Sequence, residues 1–104
     1  MAKAVGMIEV YGLVAAFVAG DAGCKAANVT IETFDRNKPA NADDLPVPVI
    51  VLVKFRGSVE DVNAAIEAAE EAANSISGVV SKHIIANPVE DTEKMLKICG
   101  LDKN

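Results

Sequence analysis

Ala4-Val-Gly-Met-Ile-Glu-Val-Tyr-Gly-Leu-Val-Ala-Ala-Phe-Val-Ala-Gly-Asp-Ala-Gly-Cys-Lys-Ala-Ala-Asn-Val29 is the stretch that decides how this chain folds. Residues 3–10 alternate with apolar members and read as a strand; Gly12 breaks the run, and Leu13 to Ala27 reads as a helix. Asn28 then leads into a second strand. Nearly every helix residue is small, so the helix can lie very close to whatever it packs against. Its larger apolar residues, Leu13, Phe17 and Cys24, fall on one side at helical spacing and predict the buried face. Gly20 and Gly23 sit inside a helix rather than after a strand. They are therefore no phosphate cradle, and their expected use is to let another backbone approach closely. Asp21 and Lys25 stand one turn apart in the favourable acid-before-base order. A small-residue helix holding one lysine near its end is more characteristic of an assembly subunit than of an enzyme.

Outward from this stretch, residues 29–35 alternate again, with Val29, Ile31 and Thr33 expected on one face and Thr30, Glu32 and Phe34 on the other. Residues 36–48 hold three of the four prolines and almost no large apolar side chain, so they read as a loop longer than an ordinary hairpin connection. Val49 to Phe55 is continuous and β-branched, a strand expected to be buried on both faces and ended by Arg56-Gly57. Ser58, with Asp61 three residues on, predicts a helix N-terminus. Val59, Val62, Ile66, Ala69, Ala73 and Ile76 then form a helical stripe that Gly78 stops. Val79 to Ala86 reads as a fourth strand, Asn87-Pro88 as a turn, and Glu90 to Cys99 as a short helix. The order β-α-β-β-α-β plus a last helix predicts an α+β fold: a ferredoxin-like split βαβ domain, with two helices on one face of a four-stranded antiparallel sheet.

At 104 residues the chain is expected to be one domain, residues 1–104, with one core. Hydrophobic residues make up 51% but include only three Phe, one Tyr and no Trp, so Ala and Val carry the core. That composition favours tight packing over a roomy aromatic-lined pocket. The formal charge of −5 argues against nucleic acid or an anionic membrane as partner, since both need a basic footprint. No signal-peptide pattern and no run as long as a membrane span is present, so a cytosolic protein is expected. Cys24 and Cys99, far apart and outside any CxxC pattern, are then expected to be reduced thiols, small buried hydrophobes.

No catalytic constellation emerges, and neither cofactor nor metal is expected. His83, the one histidine, lies in a strand, and a structural or surface role is its simpler reading. Asp43-Asp44 and the Glu32/Asp35 pair lack EF-hand spacing, and a solvated surface is their simpler reading. Lys25 carries an alternative to solvation: from a small-residue helix it can reach across a subunit contact.

Gly6-Met-Ile-Glu-Val-Tyr-Gly-Leu-Val-Ala-Ala16, Asp21-Ala-Gly-Cys-Lys-Ala-Ala-Asn-Val29 and Arg56-Gly-Ser-Val-Glu-Asp-Val62 resemble the single-domain, hexamer-forming shell proteins of bacterial microcompartments. So do His83-Ile-Ile-Ala-Asn-Pro88 and Asp91-Thr-Glu-Lys94. The resemblance runs in order along nearly the whole chain. It implies flat cyclic homohexamers that tile, with other shell proteins of the same compartment, into facets around metabolic enzymes in the cytoplasm. It places Lys25 at the hexamer edge, meeting its symmetry mate and capping carbonyls of the neighbour, with Asn28 beside it. Asn87 stands where family members often carry an edge arginine, and a short neutral side chain there is expected to weaken or re-angle tiling.

A larger departure is the loop. Family members have a short glycine-containing turn between the second and third strands, and its copies ring a central pore. Here the longer segment 36–48 replaces it. The residues expected to narrow, cover or re-line the axis are Arg36, Asn37, Lys38, Pro39, Ala40, Asn41, Asp43, Asp44 and Leu45, with the two acids disfavouring anionic metabolites. In the last helix, Met95, Leu96 and Ile98 suit contact with a cargo-enzyme targeting peptide and packing on the domain equally. The alternative function is a small ferredoxin-like regulator binding a metabolite or nucleotide, against which stands the lack of a basic cluster or glycine-rich cradle.

Overall fold

The computed structural model describes residues 3–98. Its elements are β1 (Ala4–Tyr11), α1 (Leu13–Ala26), β2 (Thr30–Asn37), β3 (Ile50–Gly57), α2 (Val59–Asn74), β4 (Val79–Ile85) and α3 (Glu90–Leu96). The strands form one sheet in the order β2-β3-β1-β4, every neighbouring pair antiparallel. This is the predicted split βαβ arrangement. Gly12 makes the β1–α1 corner with φ 91°, a left-handed conformation costly for any residue with a side chain.

Alternation sets the two faces of the sheet. Ile8 and Val10 of β1, and Val51, Val53 and Phe55 of β3, are fully buried and pack in one core with Ala15, Ala16 and Ala19 of α1. Val62, Ala65, Ile66, Ala69 and Ala73 of α2 complete that core. The α2 stripe is as predicted in its middle, but Val59 and Ile76 at its ends are exposed, and α2 stops at Asn74, ahead of Gly78. Ser58 caps α2: its hydroxyl oxygen accepts from the Asp61 N–H at 3.0 Å, while its own O–H donates to the Asp61 carboxylate. Ser58→Ala is expected to lower stability by about 1 kcal/mol, read as a lower urea midpoint at unchanged m-value.

Three expectations are corrected. The buried face of α1 is its small one, Ala15, Ala16, Ala19, Gly20 and Gly23, while Leu13, Val14, Phe17 and Val18 are 45%, 67%, 58% and 37% exposed. The reason is the close approach itself. A Cβ on Gly23 would lie 2.6 Å from the Phe55 ring and 3.2 Å from the Ala65 carbonyl oxygen of α2, so only the glycine-alanine face fits there. A Cβ on Gly20 would instead meet the side chains of Ile31 and Phe34.

Second, the alternation of β2 fails at a bulge between Ile31 and Thr33. One extra residue reverses the facing of every later position in the strand. Ile31 and Phe34 therefore both reach Gly20, and Glu32 and Asp35 both meet cations of β3 on the opposite face.

Third, the opposite face of β3 is buried only in part: Lys54 is enclosed, Leu52 and Arg56 are half-buried, and Lys54 and Arg56 carry ion pairs beneath α3. Arg56 and Gly57 do end the strand, as its last two paired residues rather than as a break beyond Phe55. Likewise α3 ends at Leu96, and Cys99 lies outside the described residues.

Candidate functional site

Strand register gives the domain two distinct ends. At one end Ala4 faces Gly57, Val5 faces Ile85 and Thr30 faces Arg56. At the other, Ile50 pairs with both Tyr11 and Asn37, and Val10 with Val79. Because α1 runs back from the second end to the first, Lys25 arrives where β2 begins and β4 finishes. Lys25, Asn28 and Asn87 therefore share the first end, and the loop after Asn37 occupies the second. They are not one cluster, however. Asn28 precedes one outer strand and Asn87 follows the other, three strand spacings or about 14 Å across the sheet.

All three side chains face solvent. Lys25 is 2.7 Å from Asp21, and the hydrogen bond and charge of that carboxylate raise its pKa above the usual lysine value. It is thus a fixed cation in the last turn of α1, where the helix dipole favours positive charge. The Asn28 backbone N–H donates to Asp61 Oδ1 at 3.4 Å, tying the α1–β2 corner to the first turn of α2. Asn87 sits between exposed Ala86 and buried Pro88. Cys24, one residue before Lys25, is exposed, not the buried hydrophobe expected.

The segment 36–48 has more structure than a plain loop. Arg36 and Asn37 belong to β2, paired with Val51 and Ile50. Ala42–Asp44 form a turn of 3-10 helix whose start, Ala42, is buried and donates its N–H to the Pro39 carbonyl. Asp44 and Leu45 donate to the carbonyls of Asn41 and Ala42. Val47 packs over Gly12, and the Gly12 N–H reaches the Val49 carbonyl at 2.8 Å, so the returning arm is fastened to the β1–α1 corner. Arg36, Asn37, Lys38, Ala40, Asn41, Asp43 and Asp44 are exposed, whereas Pro39 and Leu45 are half-buried. Arg36 and Lys38 balance the two aspartates, a charge sum that weighing Asp43-Asp44 alone overlooks.

Elsewhere the polar groups are engaged structurally. Glu32 accepts from Arg56 and Asp35 pairs with Lys54, so neither is free for a cation. Register brings His83 beside Met7, and Ser81 beside Glu9, in a shallow depression of about 260 Å³ that also touches Leu52 and Lys82. Sequence distance conceals this neighbourhood. The Ser81 hydroxyl donates to the Glu9 carboxylate at 2.6 Å and makes no bond to His83, so no nucleophile–base pair is formed.

Two features are hidden from the sequence pattern. The exposed apolar face of α1, where the Phe17 ring lies 5.1 Å from that of Phe34, has the hydrophobicity of a core face. Its signal is the competing stripe of Ala and Gly at positions 15, 16, 19, 20 and 23. The cations Lys54 and Arg56 are masked by their apolar neighbours, although a lysine inside a β-branched run needs a partner if buried.

Residues 4–88 match the family description "BMC domain". The chain is 42% identical over 100 residues to the carboxysome shell protein CcmK2 of Synechocystis sp., covering 94% of this chain and 88% of that one. It is 36% identical over 94 residues to the bacterial microcompartment shell protein PduA of Citrobacter freundii, covering 90% and 91%. A solved microcompartment protein from Desulfitobacterium hafniense DCB superposes with a TM-score of 0.66 at 23% identity, over 86% of this chain and 44% of that one, a likeness of fold. On the family match and the relatives together, the chain belongs to the BMC-domain family of bacterial microcompartment shell proteins.

Proposed function

We propose that the chain is a hexameric shell tile whose 36–48 loops surround the ring axis and whose Lys25 end meets neighbouring hexamers. Family membership makes it a structural subunit of a microcompartment shell in the cytoplasm rather than an enzyme. What carries the finer reading is the two-ended layout: the edge candidates lie at one end of the sheet and the long loop at the other. A wedge-shaped subunit of a ring needs such a polarity, one end inward and the other outward. The exposed apolar face of α1 supplies a surface suited to a neighbouring copy, with Phe17 at its middle.

Native mass spectrometry and negative-stain microscopy test the assembly. Hexamers that grow into sheets, tubes or shells are expected, and a stable nucleotide-binding trimer would overturn the reading. Lys25→Ala is expected to keep the ring and the melting temperature but stop lateral growth, because among the described residues its ion pair is with exposed Asp21. Asn87→Arg is expected to do the reverse and extend the sheets, seen as larger ordered arrays. For the loop, a structure of the hexamer with an open axis lined by small residues and 36–48 folded outward would sink its role. With Arg36 and Lys38 offsetting Asp43 and Asp44, the electrostatic preference at the axis is set by which pair faces inward.

A further inference from the structure

Lys54 is the most unusual side chain in the fold. It stands mid-strand on the face of β3 away from α1 and α2, and its side chain is 4% exposed. An ammonium has three N–H donors, and each has an acceptor here: Asp35 of β2 at 3.0 Å, the Leu96 carbonyl at 2.9 Å and the Ile98 carbonyl at 3.2 Å. Asp35 is itself buried, and its other oxygen accepts from the Thr33 hydroxyl at 3.0 Å. The charge is thus removed from water with its hydrogen bonds complete, the condition under which a buried ion pair is tolerated.

The acceptors belong to two elements with little else in common. One is α3 with the turn that carries it to Ile98; the helix is seven residues long, with Leu96 as its one buried side chain. A helix that short does not persist by itself in water. Besides Leu96 it is held by Lys54 at its last carbonyls and by Arg56, which grips Glu93. The other is the far end of β2, where Asp35 is the last buried residue before exposed Arg36, Asn37 and Lys38 lead into the loop. Arg56 cannot serve the same linkage, since its β2 partner is Glu32 at the bulge, three residues further from the loop.

We propose that Lys54 couples the seating of α3 to the order of the loop-bearing end of β2, so that the two open together. If α3 lifts, Lys54 loses two of its three acceptors and water reaches the Asp35 pair, which then falls toward the small value of a screened surface pair. The strand end is loosened without any contact of its own being removed. Coupling of this kind is reciprocal, so release of the strand end also unseats α3. An apolar contact between α3 and β3 would hold the helix equally well but would transmit nothing to β2. The inference does not depend on how many copies assemble or on what the loop lines.

The test disturbs α3 while leaving Lys54 intact. In the full chain, Leu96→Ala with Glu93→Ala removes the apolar anchor and the Arg56 grip, and hydrogen exchange is followed at the amides of residues 33–45. Exchange there is expected to accelerate about 10-fold over wild type, within the usual range of coupling between sites. The same α3 changes are then made in a background where Lys54→Met and Asp35→Leu replace the pair by apolar side chains, a swap often neutral or stabilising. Here the loop end is expected to stay within about 2-fold of that background while α3 still opens. Should that background fail to fold, Asp35→Asn, which keeps an oxygen for the ammonium but removes the charge, takes its place and is expected to shrink the 10-fold effect. An unchanged loop end in the first experiment would overturn the proposal. So would an equal acceleration in whichever folded background is used.

Discussion

Phe55→Ala is expected to lower the free energy of unfolding by about 3–5 kcal/mol, the upper range for a buried aromatic, out of a total of about 5–15 for a domain. Phe55 is fully buried in β3, and its ring fills the space between that strand and the glycine face of α1. Truncation leaves a cavity whose walls are short side chains, Ala and Val for the most part, with little reach to collapse into it. The converse change probes the same contact. Gly23→Ala gains about 1 kcal/mol of helix propensity, but its methyl would stand 2.6 Å from the ring, and overpacking of that kind costs about 1–3 kcal/mol. A net loss is expected, because the neighbour that must yield is itself fully enclosed. Combined with Phe55→Ala the methyl enters the vacated space, so the double variant should lose less than the sum of the singles by more than about 0.5 kcal/mol. Urea unfolding at one fixed protein concentration measures all three, since assembly makes apparent stability concentration-dependent. Additive losses would mean that Gly23 and Phe55 do not share a contact.

Phe17→Asp is expected to convert the assembled protein to monomers at micromolar concentration while leaving the subunit folded. Phe17 is more than half exposed and centres a face with Leu13, Val14 and Val18. Such a face is costly to leave in water and gains about 25 cal/mol for each Å² that a neighbour covers. An aromatic anchor at the middle of an interface commonly accounts for about 2 kcal/mol or more, roughly a 30-fold change in affinity at each such contact. A carboxylate adds a desolvation cost on top. Light scattering coupled to size exclusion reads the mass, and far-UV circular dichroism checks that α1 persists. Phe17→Leu should retain the assembly. Assemblies that survive Phe17→Asp would place the contact between copies on another surface.

Much of the fold was legible because the signals were local. Gly12, the β-branched run at 49–55, the Ser58 cap and the alanine-rich stripe of α2 each act within a few residues. Element order then leaves few topologies. The bulge in β2 was not legible, because an extra residue is neither a composition nor a turn signal. Its cause lies in what Glu32 and Asp35 meet across the sheet, and that is known only once Arg56 and Lys54 are in place. The face of α1 is misleading for a related reason. Hydrophobicity ranks Leu13 and Phe17 as core, but close packing against Phe55 and the α2 backbone selects whichever face is smallest.

The candidate site divides the same way. Residue patterns alone marked Lys25 and the segment 36–48 as special, and the family resemblance added Asn28 and Asn87 and gave them all a shared meaning. Their distribution between opposite ends of the sheet was a matter of strand direction and register, which pair residues dozens of positions apart.

By itself, the sequence determined the order of elements and the fold class, because periodicity, caps and breakers are read over one or two turns of chain, and its motifs carried the family resemblance. Tertiary structure decided which face of α1 is free for a neighbour, where β2 reverses its alternation, and which buried cation holds α3. Each of these depends on volume or charge supplied by a distant strand. The opening strand-turn-helix carries both lessons: its small residues announce a close approach, and only Phe55, waiting on the other side, says which of them must make it.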